Sequence, residues 1–153
     1  NPFVCLCNND LIFEKNWATE ILKCSSMFPD ALSFSPLCPK TQPLYGIQEN
    51  SGYHIGDQIR KHISGWCIFQ RRSIYEIIGD LDERFTHWFS DNDYALTLHA
   101  NHLPHCLVSS SIVEHHDKNI GKTGPIVLSE LEMYHATAGS QGIFIEKWKD
   151  MFR

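Results

Sequence analysis

Pro2-Phe3-Val4-Cys5-Leu6-Cys7-Asn8-Asn9-Asp10 is an unbroken apolar run that stops abruptly on three polar residues. Its length and its β-forming residues predict a buried strand, of the kind found in a sheet covered on both faces. In open α/β sheets, ligands bind outside the carboxyl ends of the strands, which is where Asn8, Asn9 and Asp10 fall. Taken alone, those three residues also suit an ordinary turn. The choice between turn and site depends on what the rest of the chain brings to the same edge.

Downstream, Asn16 can cap a helix running through Met27, with Trp17, Ile21, Leu22 and Cys24 on or near its buried side. Residues 28–52 are rich in Pro, Ser and Gly, which predicts a long extended loop with one short strand around residues 44–47. Residues 54–63 read as a short helix. Ser64-Gly65-Trp66-Cys67-Ile68-Phe69-Gln70-Arg71 reads as a second buried strand, after which Arg72-Ser73 opens a helix that ends at Gly79, with Ser73 as its cap. Residues 107–113 form a further apolar run, closing on Glu114-His115-His116-Asp117. Residues 129–153 are mostly helical in pattern, broken near 139–142, with Ile143, Phe144, Trp148 and Phe152 on the apolar side. No internal repeat is visible.

A chain of 153 residues, 42% hydrophobic and 20% charged, fits one domain with a core of its own. With a net charge of −5 and no basic stripe, nothing points to nucleic acid. No apolar run reaches the roughly 20 residues of a membrane span, and no charged-then-apolar leader is visible. The six cysteines, Cys5, Cys7, Cys24, Cys38, Cys67 and Cys106, are scattered through apolar surroundings. They predict buried free thiols in a reducing compartment rather than a disulfide scaffold. No Cys-x-x-Cys pair supports a thiolate zinc site.

The second polar cluster is His87-Trp88-Phe89-Ser90-Asp91-Asn92-Asp93-Tyr94, in which two carboxylates follow an aromatic group and precede an amphipathic run. Carboxylates beside apolar bulk lose hydration, which favours proton uptake and suits a general base. Either Asp can instead simply cap the following helix. The third cluster is His115 to Asp117. Alternation through Ser111 and Val113 puts His115, not His116, on their shared face. An Asp with a His is a reasonable ligand pair for Mg²⁺ or Mn²⁺, with diphosphate oxygens and water filling the remaining positions.

In their order along the chain these motifs resemble the inverting, nucleotide-sugar-dependent glycosyltransferases of family two, which have the GT-A fold. Asn8-Asn9-Asp10 is similar to the Asp-x-Asp metal motif with Asn in its first position. Gly65-Trp66-Cys67-Ile68-Phe69-Gln70-Arg71-Arg72 and Ile78-Gly79-Asp80-Leu81-Asp82-Glu83-Arg84-Phe85 follow. Trp88-Phe89-Ser90-Asp91-Asn92-Asp93-Tyr94 is similar to the acidic motif carrying the catalytic base, and Ile112-Val113-Glu114-His115-His116 to the strand whose His completes the metal shell.

The resemblance covers nearly the whole chain and implies a single α/β domain over residues 1–153. Its GT-A-like (Rossmann-like) mixed sheet would be flanked by helices and would form the C-terminal part of the full fold. The family's nucleotide-binding strands would precede Asn1. Ser90 stands where the family usually has a second acid.

The roles implied residue by residue begin with Asp10 and His115, His116 being the alternative, as ligands of Mn²⁺ or Mg²⁺, with Asn8 nearby. Asp91 would take the proton from the acceptor hydroxyl. Trp88 would be an acceptor platform, and Asp93 would either orient an acceptor hydroxyl or cap the helix. The long loop at 28–52 or the segment 116–124 would order over the donor. The implied partners are a nucleotide-diphosphate sugar and a glycan, lipid-linked or protein acceptor. Nucleic acid and a transmembrane segment are not expected. The implied location is cytoplasmic, including the cytoplasmic face of a membrane. A non-catalytic carbohydrate-binding or scaffold domain of the same fold is the alternative. A hydrolase using Asp91 and Asp93 as an acid/base pair is disfavoured, because that pair is too local to flank a glycosidic bond.

Overall fold

A computed structural model describes residues 1–86, 88–116 and 130–151. Among these, the chain folds as mixed α/β around a six-stranded sheet. The strands are β1 (Phe3–Cys7), β2 (Leu11–Phe13), β3 (Ser33–Leu37), β4 (Tyr53–Ile55), β5 (Cys67–Arg71) and β6 (His105–His115). The helices are α1 (Trp17–Met27), α2 (Tyr75–Ile78), α3 (Ser90–Ala100) and α4 (Glu130–Trp148). The strand order is β1-β5-β3-β6-β2, with β4 also pairing β6. β3 and β6 run parallel, whereas the other pairs are antiparallel. The sheet is therefore mixed, as expected.

Neighbouring strand residues point to opposite faces, and the two faces carry different helices. Phe34, Phe69, Cys106 and Val108 pack with Ile21 and Cys24 of α1. Ile68 packs with Tyr94, Ala95 and Leu98 of α3. A sheet covered on both sides follows, and the acidic motif lies at the start of the helix on the second side.

Several local expectations are corrected. The first apolar run is an edge strand rather than a doubly covered one. Among the described residues β1 pairs only β5, and its Cys5 and Cys7 are exposed. The other four cysteines are buried and, like these two, free. Within residues 28–52, Ser33–Leu37 forms a fully buried strand at the centre of the sheet. Pro36 hides it in the sequence, because proline removes a ladder donor and is normally confined to edges and bulges. Here β5 pairs only Ser33 and Phe34, and the register with β6 shifts between Pro36 and Leu37, so Pro36 sits at an irregularity.

Where a strand was expected, near residue 44, the chain makes a 3-10 turn over Gln42–Tyr45. Where a helix was expected, from residue 54, it makes β4. Neither Asn16 nor Ser73 supplies a side-chain cap. α4 continues through Gly139 and Gly142 without a break. Two helical glycines lower its intrinsic stability by about 1 kcal/mol each, which packing can offset.

A polar chain crosses the second face of the sheet. Tyr94 Oη donates to Ser33 Oγ at 2.7 Å, and Ser33 Oγ lies 2.7 Å from His105 Nδ1. His105 Nε2 lies 3.0 Å from Ser35 Oγ and 3.1 Å from the His62 carbonyl. A carbonyl can only accept, so Nε2 carries the proton and Nδ1 accepts from Ser33. Burial pushes His105 down to about 3, so it is neutral at ordinary pH.

Candidate functional site

The pairing of β2 with β6 brings two distant polar clusters together. Leu11 is opposite His115, and the His116 amide donates to the Asp10 carbonyl at 3.1 Å, extending the ladder by one residue. Asp10 Oδ1 then lies 3.3 Å from His115 Nε2, and Asn8 Nδ2 lies 3.4 Å from the same nitrogen. The Asp10 and His115 side chains are 24% and 13% exposed, so they are held firmly yet remain reachable. Asp10 Oδ1 itself is buried and has no hydrogen-bond partner among the described residues. His116 faces elsewhere, with Nε2 2.9 Å from Glu114, a carboxylate that also pairs with Lys40.

Gly65 and Trp66 connect this corner to the acidic motif. The Trp66 carbonyl accepts from the Asn8 amide at 2.9 Å, and its ring stacks on His115 at 5.8 Å and 15°. On the other side, a Cβ added at Gly65 would lie 3.1 Å from Asp91 Cβ. Asp91 lines a cavity of about 110 Å³ with Leu6, Gly65, Ile68, Phe85 and Tyr94 among its walls. Asp91 Oδ1 accepts from the Asn92 amide at 3.0 Å.

The turn into α3 is strained. Phe89, its N-cap, has φ 67°, a left-handed conformation that is an outlier for a bulky residue. Its ring packs on Phe144 of α4 at 5.3 Å, which holds the turn in place. Trp88, beside it, is exposed.

Asp93 is held differently from Asp91. It is 6% exposed, accepts from Trp148 Nε1 at 2.7 Å, and has Lys147 Nζ within 2.9 Å. Lys147 also reaches Asp82, whose other partner is Arg84. The guanidinium of Arg84, aided by Lys147, holds Asp82 well below the usual carboxylate range. Asp93 therefore ties α3 to α4; it is neither an exposed group nor a helix cap.

The Asp10–His115 corner presents one oxygen and one nitrogen donor of the kinds divalent cations take. One carboxylate oxygen there lacks a hydrogen bond, and an imidazole nitrogen faces it. Among the described residues, no group of three His, Cys, Asp or Glu side chains gathers to hold a metal. Gly65, Trp66, Phe89 and the Lys147–Trp148 clamp are contributors that residue chemistry alone did not single out. Gly65-Trp66 entered the sequence reading only as part of a strand and of the family resemblance, with no role given to either residue. Asp117 and segment 117–124 lie outside the described residues.

Comparison with known proteins finds no family model, no curated protein and no solved structure that matches the chain. No helix among the described residues is long and apolar enough to cross a membrane.

The contact at Gly65 yields a direct expectation. Gly65→Ala places a methyl group against Asp91 and displaces it by a few tenths of an ångström. Because a 1 Å misplacement can cost about 10²-fold in rate, any reaction that uses Asp91 as its base should slow about tenfold. Steady-state kinetics with an unchanged kcat would show that this contact does not set the Asp91 position.

Proposed function

We propose that the chain is a metal-dependent inverting glycosyltransferase of GT-A type, resembling family two, that moves a sugar from a nucleotide-diphosphate donor to an acceptor hydroxyl. The observation that carries this reading is the pairing of Asp10 with His115, joined through Gly65-Trp66 to a separate carboxylate, Asp91. Asp10 and His115 would hold Mn²⁺ or Mg²⁺, with Asn8 beside them. When bound there, the cation stabilises the negative charge that develops on the departing diphosphate. Two protein side chains leave coordination positions for phosphate oxygens and water.

Asp91 accepts the proton of the attacking hydroxyl. In-line attack requires that base on the sugar face opposite the leaving group, and Asp91, a carboxylate separate from the Asp10–His115 pair, is the residue assigned to it in this reading. Trp88, exposed next to the motif, offers a flat ring to the apolar face of an acceptor sugar. Asp93 acts here as a support for α3, because its oxygens are taken by Lys147 and Trp148.

The size of the Asp91 cavity favours a second reading, a carbohydrate-binding or scaffold domain of the same fold. About 110 Å³ holds a hydroxyl and its neighbours, well below the roughly 300–1,000 Å³ of common ligand sites.

A thermal-shift series with nucleoside diphosphates, with and without Mn²⁺, separates the two. The transferase reading expects stabilisation that needs Mn²⁺ and is weakened more than about tenfold in apparent affinity by Asp10→Ala. Stabilisation by glycans alone, indifferent to Mn²⁺ and to Asp10, would establish the binding module instead.

A further inference from the structure

The β1–β5 ladder carries three cysteines on one face. Cys7 is opposite Cys67, and Cys5 is opposite Phe69, two residues along the same side of the strand. The hydrogen bonds set the type of each pair. The Asn8 amide donates to the Trp66 carbonyl and the Arg72 amide to the Pro2 carbonyl, so Asn8–Trp66 and Pro2–Arg72 are hydrogen-bonded pairs. Alternation then makes Cys7–Cys67 a non-hydrogen-bonded pair, the closer kind, with Cα atoms about 4.5 Å apart. That lies within the roughly 4.4–6.8 Å a disulfide spans, whereas the Cys5–Cys67 diagonal, at about 7–8 Å, does not.

We infer that Cys7 and Cys67 are a redox modification site that closes to a cross-strand disulfide with a small disulfide oxidant. Access is through the exposed strand edge, where Cys5 and Cys7 both reach solvent while Cys67 is buried behind them. Cys5 starts the exchange. Its thiol is lowered to about 7, chiefly by a hydrogen bond from Cys67, so that thiolate is present at neutral pH.

The Cys5 thiolate opens the oxidant's S–S bond and expels one thiol. Cys7, also exposed, attacks the outer sulfur of the mixed disulfide on Cys5 and so returns Cys5 reduced; Cys67 then attacks the Cys7 sulfur across the ladder, forming the bridge and expelling the second thiol. In sum, the two thiol hydrogens of Cys7 and Cys67 leave with the two released oxidant thiols, and one protein S–S bond forms. The bridge would clamp the chain just before Asn8 and just after Trp66, the two residues whose backbones meet at the metal corner. The inference stands independently of the transferase reading.

Cys24 and Cys106 supply an internal comparison. Their sulfurs are 3.3 Å apart, yet both are fully buried between α1 and the sheet. The folded, reduced protein should be treated with oxidised glutathione, quenched by alkylation and mapped by mass spectrometry of its peptides. The expected product is a single Cys7–Cys67 bridge, with Cys24 and Cys106 alkylated. Cys5→Ser should give the same bridge more than about tenfold more slowly. A bridge to Cys5, oxidation of Cys24–Cys106 first, or glutathione adducts without a bridge would overturn the assignment. So would an unchanged rate in the Cys5→Ser protein.

Discussion

Replacing Asp91 with Asn is expected to lower glycosyl transfer about 10²- to 10⁴-fold while leaving Mn²⁺ and donor binding nearly intact. The amide has the size of the carboxylate, so it fills the same cavity and keeps its contact with Gly65. It also retains an oxygen for the Asn92 amide, which preserves the turn. What it loses is the capacity to accept a proton, and a loss confined to kcat would mark the role as chemical rather than structural. Asp10→Ala should behave in the opposite way, weakening metal-dependent donor binding. If both variants lose donor binding to the same extent, the division of labour between the two acids is wrong.

The second large effect is on stability. His105 is neutral in the folded protein, with a value near 3 against about 6.5 in an unfolded chain. Between those values the unfolded state binds a proton that the folded state refuses, so stability rises with pH across the window and levels off above about 6.5. Read downward, acidification from about 6.5 should remove up to about 1.4 kcal/mol for each pH unit. Burial also lowers His62, which adds a loss in the same direction.

The carboxylates that favour the charged form, Asp82, Glu20 and Glu114, lose their contributions only as pH falls through the ordinary carboxylate range and below. Urea unfolding between pH 6.5 and 5.5 therefore isolates the histidines. A flat midpoint across that window would contradict the buried, hydrogen-bonded assignment of His105.

Much of the architecture was legible where local pattern and tertiary context agree. α1 ends at Met27 as its periodicity indicated, and the Gly65–Arg71 run does contain a buried strand, β5. Strand alternation placed His115 on the face of Ser111 and Val113, and it is His115 rather than His116 that meets Asp10.

The failures have physical causes. Ser-Phe-Ser-Pro-Leu does not read as a central strand, because its serines are satisfied by distant partners, Tyr94, His105 and the His62 carbonyl, that no local window contains. β1 looks doubly buried by composition, yet its place at the sheet edge is a matter of strand order. The grip of Lys147 and Trp148 on Asp93 joins residues over fifty positions apart, and nothing near Asp93 announces it.

That grip makes the last turn of α4 and the first turn of α3 parts of one mechanical unit. Whatever pulls that end of α4 away must strand the sequestered Asp93 carboxylate. Under the proposed function, α4 would thus bear on the acidic motif through Asp93.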